Sequence, residues 1–144
     1  MRPPTLLALP SYLAGHVSKI GRQHLDQALS DRGLRPPHFA VLAALADFGP
    51  LVQHEVADRL GLNRSHLVGY LDVVEHLGLV CRERDPDDRR RQHVLLTPAG
   101  RQVFEDLVGV AVRAQDEYLG ALTEPEREVL IDLLRRIVLA EDEE

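Results

Sequence analysis

Residues 53–97 read QHEVADRLGLNRSHLVGYLDVVEHLGLVCRERDPDDRRRQHVLLT, and their pattern decides the fold. Val56, Ala57 and Leu60 fall on one face of a short helix that starts near Gln53. Gly61 ends it, because glycine accepts the left-handed position after a helix, and Leu62 can then turn back beneath the bend. Asn63 or Ser65 suits the N-cap of a second helix. In that helix Leu67, Leu71, Val74 and Leu77 recur every three to four residues, which leaves Ser65, His66, Gly69, Asp72 and Val73 facing elsewhere. Two helices joined by a tight glycine-containing turn make a helix-turn-helix, whose second helix can enter a DNA major groove.

Gly78 closes the second helix, and Leu79–Arg84 begins an extended run whose partner is Arg91–Leu96. Asp85-Pro86-Asp87-Asp88 supplies turn formers between them, so the two runs predict a β-hairpin with a polar loop. Arg84, Arg89, Arg90 and Arg91 crowd its tip. Arginine on an extended loop can reach phosphates or enter a narrow minor groove, where the negative potential is strongest.

The order helix, turn, helix, arginine hairpin and then Leu-Thr-x-x-Gly resembles the MarR (multiple antibiotic resistance regulator) family of winged-helix repressors. The residues that carry the resemblance are Leu60-Gly61-Leu62-Asn63-Arg64-Ser65, Leu77-Gly78-Leu79-Val80, Asp85-Pro86-Asp87-Asp88-Arg89-Arg90 and Leu96-Thr97-Pro98-Ala99-Gly100, in layout over nearly the whole chain. The resemblance implies a mainly α fold with a small β-hairpin wing, a single domain over 1–144. In it, 36–97 is a winged helix-turn-helix and 1–35 with 98–144 form a helical dimerisation part. It implies a homodimer on double-stranded DNA with an inverted repeat, held by recognition helix 63–77 and wing 84–91. Asp88 would orient the wing and Arg90 enter the minor groove. The expected DNA-binding residues are Asn63, Arg64, Ser65, His66, Gly69, Tyr70, Arg84, Asp88, Arg89 and Arg90. Where the family's recognition helix offers an arginine and another basic or polar residue, this chain has Gly69 and Val73, so base readout should rest more on Arg64, Ser65 and His66.

Charge is decided by position. The total is −6, yet residues 52–101 hold eight basic and eight acidic side chains, leaving nine of the 17 basic and fifteen of the 23 acidic residues outside. An acidic body with a locally basic edge orients a protein on DNA, and contact through a few arginines predicts a modest salt dependence. The 144 residues suit one domain, and with only 4% aromatic residues and no Trp the core must come from Leu, Val and Ala, which suits helices. With no apolar run of 18 residues and no signal-like start, a cytoplasmic protein without membrane contact is expected.

Outward from the central stretch, Leu6, Leu9, Leu13, Val17 and Ile20, then Leu25, Ala28 and Leu29, make a long helical stripe ending at Asp31-Arg32-Gly33. A restart at Pro10-Ser11 is expected, with Ser11 as cap. Pro36-Pro37 opens a short apolar helix that ends near Gly49-Pro50, and Leu51-Val52 offers a minimal third strand. Thr97-Pro98 starts a long helix through Tyr118 and Leu119; Thr123 and Glu126 form a capping box for the last one. That helix carries Val129, Leu130, Leu133, Leu134, Ile137 and Val138, and runs into the acidic tail Glu141–Glu144. Terminal helices so rich in apolar surface predict pairing within one subunit and with those of a second.

Seven histidines include no His-x-x-x-His pair, and one cysteine gives no zinc framework, so no metal site and no cofactor are expected. No Gly-x-Ser-x-Gly, P-loop or Gly-x-Gly-x-x-Gly is present, and an enzyme is not expected. The resemblance implies instead a small aromatic or anionic effector lodged between the dimer helices and the winged unit. Tyr12, His16 and Lys19 on the first helix, with His38 on the next, are the residues that could receive it. Two alternatives stay open: a winged helix that binds another protein, and the same regulator triggered by metal or by oxidation of Cys81.

Overall fold

The computed structural model describes residues 1–143; Glu144, last of the acidic tail, lies outside them. Seven helices and three strands follow one another among those residues: α1 (Pro4–Leu7), α2 (Pro10–Asp31), α3 (Pro36–Phe48), β1 (Leu51–Val52), α4 (Gln53–Leu60), α5 (Arg64–His76), β2 (Val80–Arg84), β3 (Gln92–Leu96), α6 (Pro98–Tyr118) and α7 (Glu124–Glu141). The mainly helical fold with a small wing is as expected. So are the third strand and the order of elements.

Two compact units emerge, Arg22–Ala111 and Met1–Gly21 with the chain from Val112 onward. The division falls within α2 and α6.

The larger unit is organised by one buried cluster. Leu29 of α2, Val41, Leu42 and Leu45 of α3, Val56 of α4, Leu67, Leu71 and Val74 of α5, Val94 of β3 and Leu107 of α6 all join it. Phe39 and Phe104 pack beside it at 5.7 Å between ring centres. The sheet is antiparallel in the order β1-β3-β2, with Leu51 opposite Val94 and Cys81 opposite Leu95, so β3 is its central strand. Thr97 ties the sheet to α6. Its N–H donates to Leu79 O at 3.0 Å, its hydroxyl donates to Gly78 O at 2.7 Å, and the same hydroxyl accepts the Gly100 N–H. Gly100 is obligatory there, because a Cβ would stand 1.9 Å from Leu79 O. The spacing Leu-Thr-x-x-Gly thus has a packing cause.

The smaller unit comprises α1, the first half of α2, the end of α6 and α7. Ala114 and Leu119 are buried in it, and Gly21 leaves room for the ring of Tyr118. No residue of α7 is buried. Thr123 and Glu126 form the expected capping box, and Arg127 anchors the first turn to Leu119 O at 3.2 Å and to Asp116 at 2.9 Å.

Two local expectations fail. Ser11 is not the cap of α2, because Pro10 with its fixed φ is already the first helical residue and the N–H of Leu13 reaches Leu9 O. Leu77 does not continue the buried stripe of α5. It is the C-cap and is 45% exposed; Gly78, at φ +75°, turns the chain so that Leu79 and Val80 enter the core instead.

Candidate nucleic-acid interface

Local chemistry sets the angle between α4 and α5. Gly61 adopts φ +62°, and the N–H of Leu62 then reaches back to Ala57 O at 2.9 Å. Asn63 caps α5 by accepting the Ser65 N–H at 2.8 Å and also takes the Ser65 hydroxyl. With Leu67, Leu71 and Val74 anchored in the core, the helical repeat turns Ser65, His66, Gly69, Asp72 and Val73 outward. Open space surrounds Gly69, where a Cβ would meet nothing within 4 Å. Arg64 is exposed at the first turn, its Nη2 3.4 Å from both carboxylate oxygens of Asp58. Tyr70 differs from the others. It lies on the inner flank, half-buried, with its ring edge-on to His38 at 5.4 Å and 87°.

The wing is locked to this helix by Arg82, whose part sequence alone did not reveal. Its guanidinium is largely covered and donates to Asp72 at 2.6 Å and to Glu75 at 2.9 and 3.2 Å. These bonds hold the Glu75 carboxyl below the usual carboxylate range and push Arg82 further up. The signal was present: Asp72 and Glu75 stand three apart on one helical face, and Arg82 follows just after the turn.

At the wing tip, Asp85 Oδ1 accepts the N–H groups of Asp87 and Asp88, at 2.8 and 3.1 Å. Asp88 Oδ1 accepts both the backbone N–H and the Nε–H of Arg90, at 3.1 and 3.2 Å, while the Arg90 side chain remains 91% exposed. The Arg90 bond is also the first cause holding the Asp88 carboxyl down. Arg84 and Arg89 are exposed, and Arg91 stands 3.9 Å from Glu55. Between this wing and the start of α4 and α5 lies an open cleft of about 350 Å³, lined by Arg64, Arg84, Arg89, Arg90, Arg91 and His54. Arg91 and His54 were not among the expected site residues. Five arginines line one cleft, three of them beside the carboxylates Asp58, Asp88 and Glu55, and such a gathering of cations on one edge favours an anion there despite the acidic whole.

The four residues expected to meet an effector divide between the units. Tyr12 and His16 are half-buried in the smaller unit, where Arg2 donates to Tyr12 Oη at 2.9 Å and stands 2.8 Å from His16 Nε2; Lys19 is exposed on the same helix. Arg2 had passed unnoticed because its partners lie ten and fourteen residues away. His38 lies apart from the other three in the division into units. It is buried in the larger unit, and its Nδ1 accepts the Arg35 N–H at 2.8 Å as the N3 partner of a cap. Burial first, and the Arg35 charge second, push its pKa below the ordinary value. Among the described residues no three His, Cys, Asp or Glu side chains converge to hold a metal ion, and no helix is long and apolar enough to cross a membrane.

Known proteins share this arrangement. The sequence model of the MarR family matches residues 32–91. The transcriptional regulator HosA of Escherichia coli O111:H- is 32% identical over 107 residues, 74% of this chain and 79% of its own length. Among solved structures, the PcaV transcriptional regulator of Streptomyces coelicolor, in complex with its natural ligand, superposes with TM-score 0.76 at 30% identity, covering 98% of this chain and 99% of that one. BpsR of Bordetella bronchiseptica, whose DNA binding is regulated by 6-hydroxynicotinic acid, matches with TM-score 0.75 at 27% identity over 91% of this chain and 94% of its own.

Proposed function

This chain belongs to the MarR family of transcriptional regulators, and from that premise we propose that it is a homodimeric repressor of a pseudo-palindromic operator, released by a small aromatic or anionic effector. The observation that carries the DNA contact is the convergence of five arginines beside the outward face of α5. In this reading α5 enters the major groove, where Arg64, Ser65, His66 and the bare backbone at Gly69 face base edges, with Asn63 shaping the helix start. Tyr70 supports the helix from its inner side. Arg90, aimed by Asp88, inserts into the adjacent minor groove, and Arg84 and Arg89 meet phosphates. The dimer follows from the open apolar faces of the smaller unit, and two-fold symmetry then sets two recognition helices about one DNA turn apart, roughly 34 Å.

For the effector, the Arg2–Tyr12–His16 group offers donors suited to a carboxylate or phenolate, with Lys19 adding charge on the same helix. The ligand-bound PcaV supports a small-molecule signal, and the 6-hydroxynicotinic acid that regulates DNA binding by BpsR supports one of that chemistry. Binding would act by altering the half-site spacing that the dimer can span.

Selection of bound genomic fragments, followed by titration of wild type and Arg90→Ala, tests the proposal. A fragment with an inverted repeat should be retained at about 50 mM salt, and Arg90→Ala should weaken it on the order of tenfold and flatten the salt dependence. An unchanged titration would remove the wing from the mechanism. If no fragment binds and a protein partner co-purifies, the exposed Val68 and Val73 of α5 become a protein-docking face instead.

A further inference from the structure

The wing turn is held open to solvent on one side and fixed from the other. Asp85 Oδ1 accepts the two turn N–H groups, and the chain is cross-linked above it by Asp85 N–H to Arg91 O at 2.9 Å and Arg91 N–H to Asp88 O at 3.0 Å. The remaining carboxylate oxygen, Oδ2, meets Nε2 of His93 at 2.9 Å. That contact is the first cause drawing the Asp85 carboxyl down to about 2, so the group is an anion throughout the neutral range. From there the bonds continue outward. Asp85 holds the N–H of Asp88, and Asp88 holds the guanidinium of Arg90.

His93 is well placed to anchor such a line. It lies on β3, which is paired on both sides, with Val52 on β1 and Glu83 on β2 as its register partners. A ring rising from a central strand is a fixed point; a carboxylate on a turn is not. Arg90 is a long, exposed side chain, and inserting it into a groove costs rotamer freedom that a pre-shaped turn reduces.

We propose that His93 is a positioning residue for DNA binding: by holding Asp85 Oδ2 it sets the shape of the wing turn, and through Asp88 the aim of Arg90. This rests on the wing contacting DNA as proposed above. His93 itself touches no nucleic acid in this scheme. Its effect must therefore disappear when Arg90 is absent, which a general contribution to stability would not do.

The test is a double-mutant cycle on a selected operator duplex, by fluorescence anisotropy at fixed salt. His93→Leu should lose roughly twofold to thirtyfold in affinity, the span of couplings transmitted through such networks. His93→Gln, whose amide N–H reaches about as far as Nε2, should recover most of the loss. In the Arg90→Ala background, His93→Leu should cost nothing further. His93→Thr, compatible with a strand, replaces the Leu variant should that fold poorly. Wild-type affinity in both His93→Leu and His93→Thr, equal losses in the Leu and Gln variants, or losses that multiply in the double variant would each overturn the proposal. Failure of the DNA-binding reading looks different: Arg90→Ala binds as wild type, or wild type binds no fragment, and the inference falls with it.

Discussion

At residue scale, His38 shows how a titratable side chain can be enlisted for structure. Its ring is enclosed beside Tyr70, and its unprotonated Nδ1 is the acceptor that the Arg35 N–H requires. Burial of the charged ring, and then the charge of Arg35 beside it, push the pKa below 6.5. The unfolded chain therefore binds this proton at a higher pH than the folded chain does. Stability is at its full value above about pH 6.5, falls as pH drops below it, and levels off once the folded protein is protonated too. His38→Gln keeps an acceptor at N3 and removes the proton. Thermal midpoints from pH 8 down to pH 5 should therefore fall less in the variant; parallel curves would mean that His38 is not the group responsible. The same residue marks a limit of sequence reading. Gly61, Asn63 and Thr123 were legible because each makes its bonds within a few positions of itself, and Thr97 because its cap on Gly100 does. Arg82 and His93 reach across to Asp72 and Asp85, and His38 packs on Tyr70, contacts between elements that the periodicity of a single helix or strand does not carry.

At the scale of the element, α5 shows what periodicity can and cannot supply. The buried set Leu67, Leu71 and Val74 was readable because burial imposes the helical repeat. The outward face has no such constraint, and its composition bears on which bases it meets. Beyond His66 the face offers the bare backbone of Gly69, the Asp72 carboxylate that Arg82 engages, and Val73, which is 37% exposed and leaves water on a methyl pair. In a major groove, the base edge complementary to such a surface is the C5-methyl of thymine. Half-sites should therefore carry A·T pairs opposite the second turn of α5. Replacing those thymines by deoxyuridine keeps every base-pair hydrogen bond and removes only the methyl, which should weaken binding by about 0.8 kcal/mol, roughly fourfold, per contacted group. The penalty should shrink for Val73→Ala. Equal affinity for thymine and uracil duplexes would mean that the operator is read by Arg64, Ser65 and His66 alone.

For the whole molecule, the deciding feature is apolar surface that one chain leaves uncovered. In α7, Val129, Leu133, Leu134, Ile137 and Val138 are all exposed, and so are Leu7 of α1, Leu9 just before α2, and Leu13 and Val17 of α2. The anchors described for α7, the Thr123 cap and the Arg127 bonds, act on its first turns, and a helix of 18 residues held chiefly by its own hydrogen bonds is marginal in water. Periodicity predicted this face, and in the proposed two-fold dimer the same residues of a second copy would meet it. In that proposal a second copy would cover the face and make the contact with the operator bivalent. Because Leu134 and Ile137 are open in the single chain, replacing both by Glu leaves the larger unit intact while making a shared apolar seam untenable. Sedimentation equilibrium should then show monomers where wild type is dimeric, and the thermal midpoint should rise with protein concentration for wild type only. Loss of the linked second half-site should lower operator affinity by on the order of a hundredfold or more, while binding to a single half-site is retained. Wild type that stays monomeric at micromolar concentration, or a double variant that stays dimeric, would put the interface elsewhere.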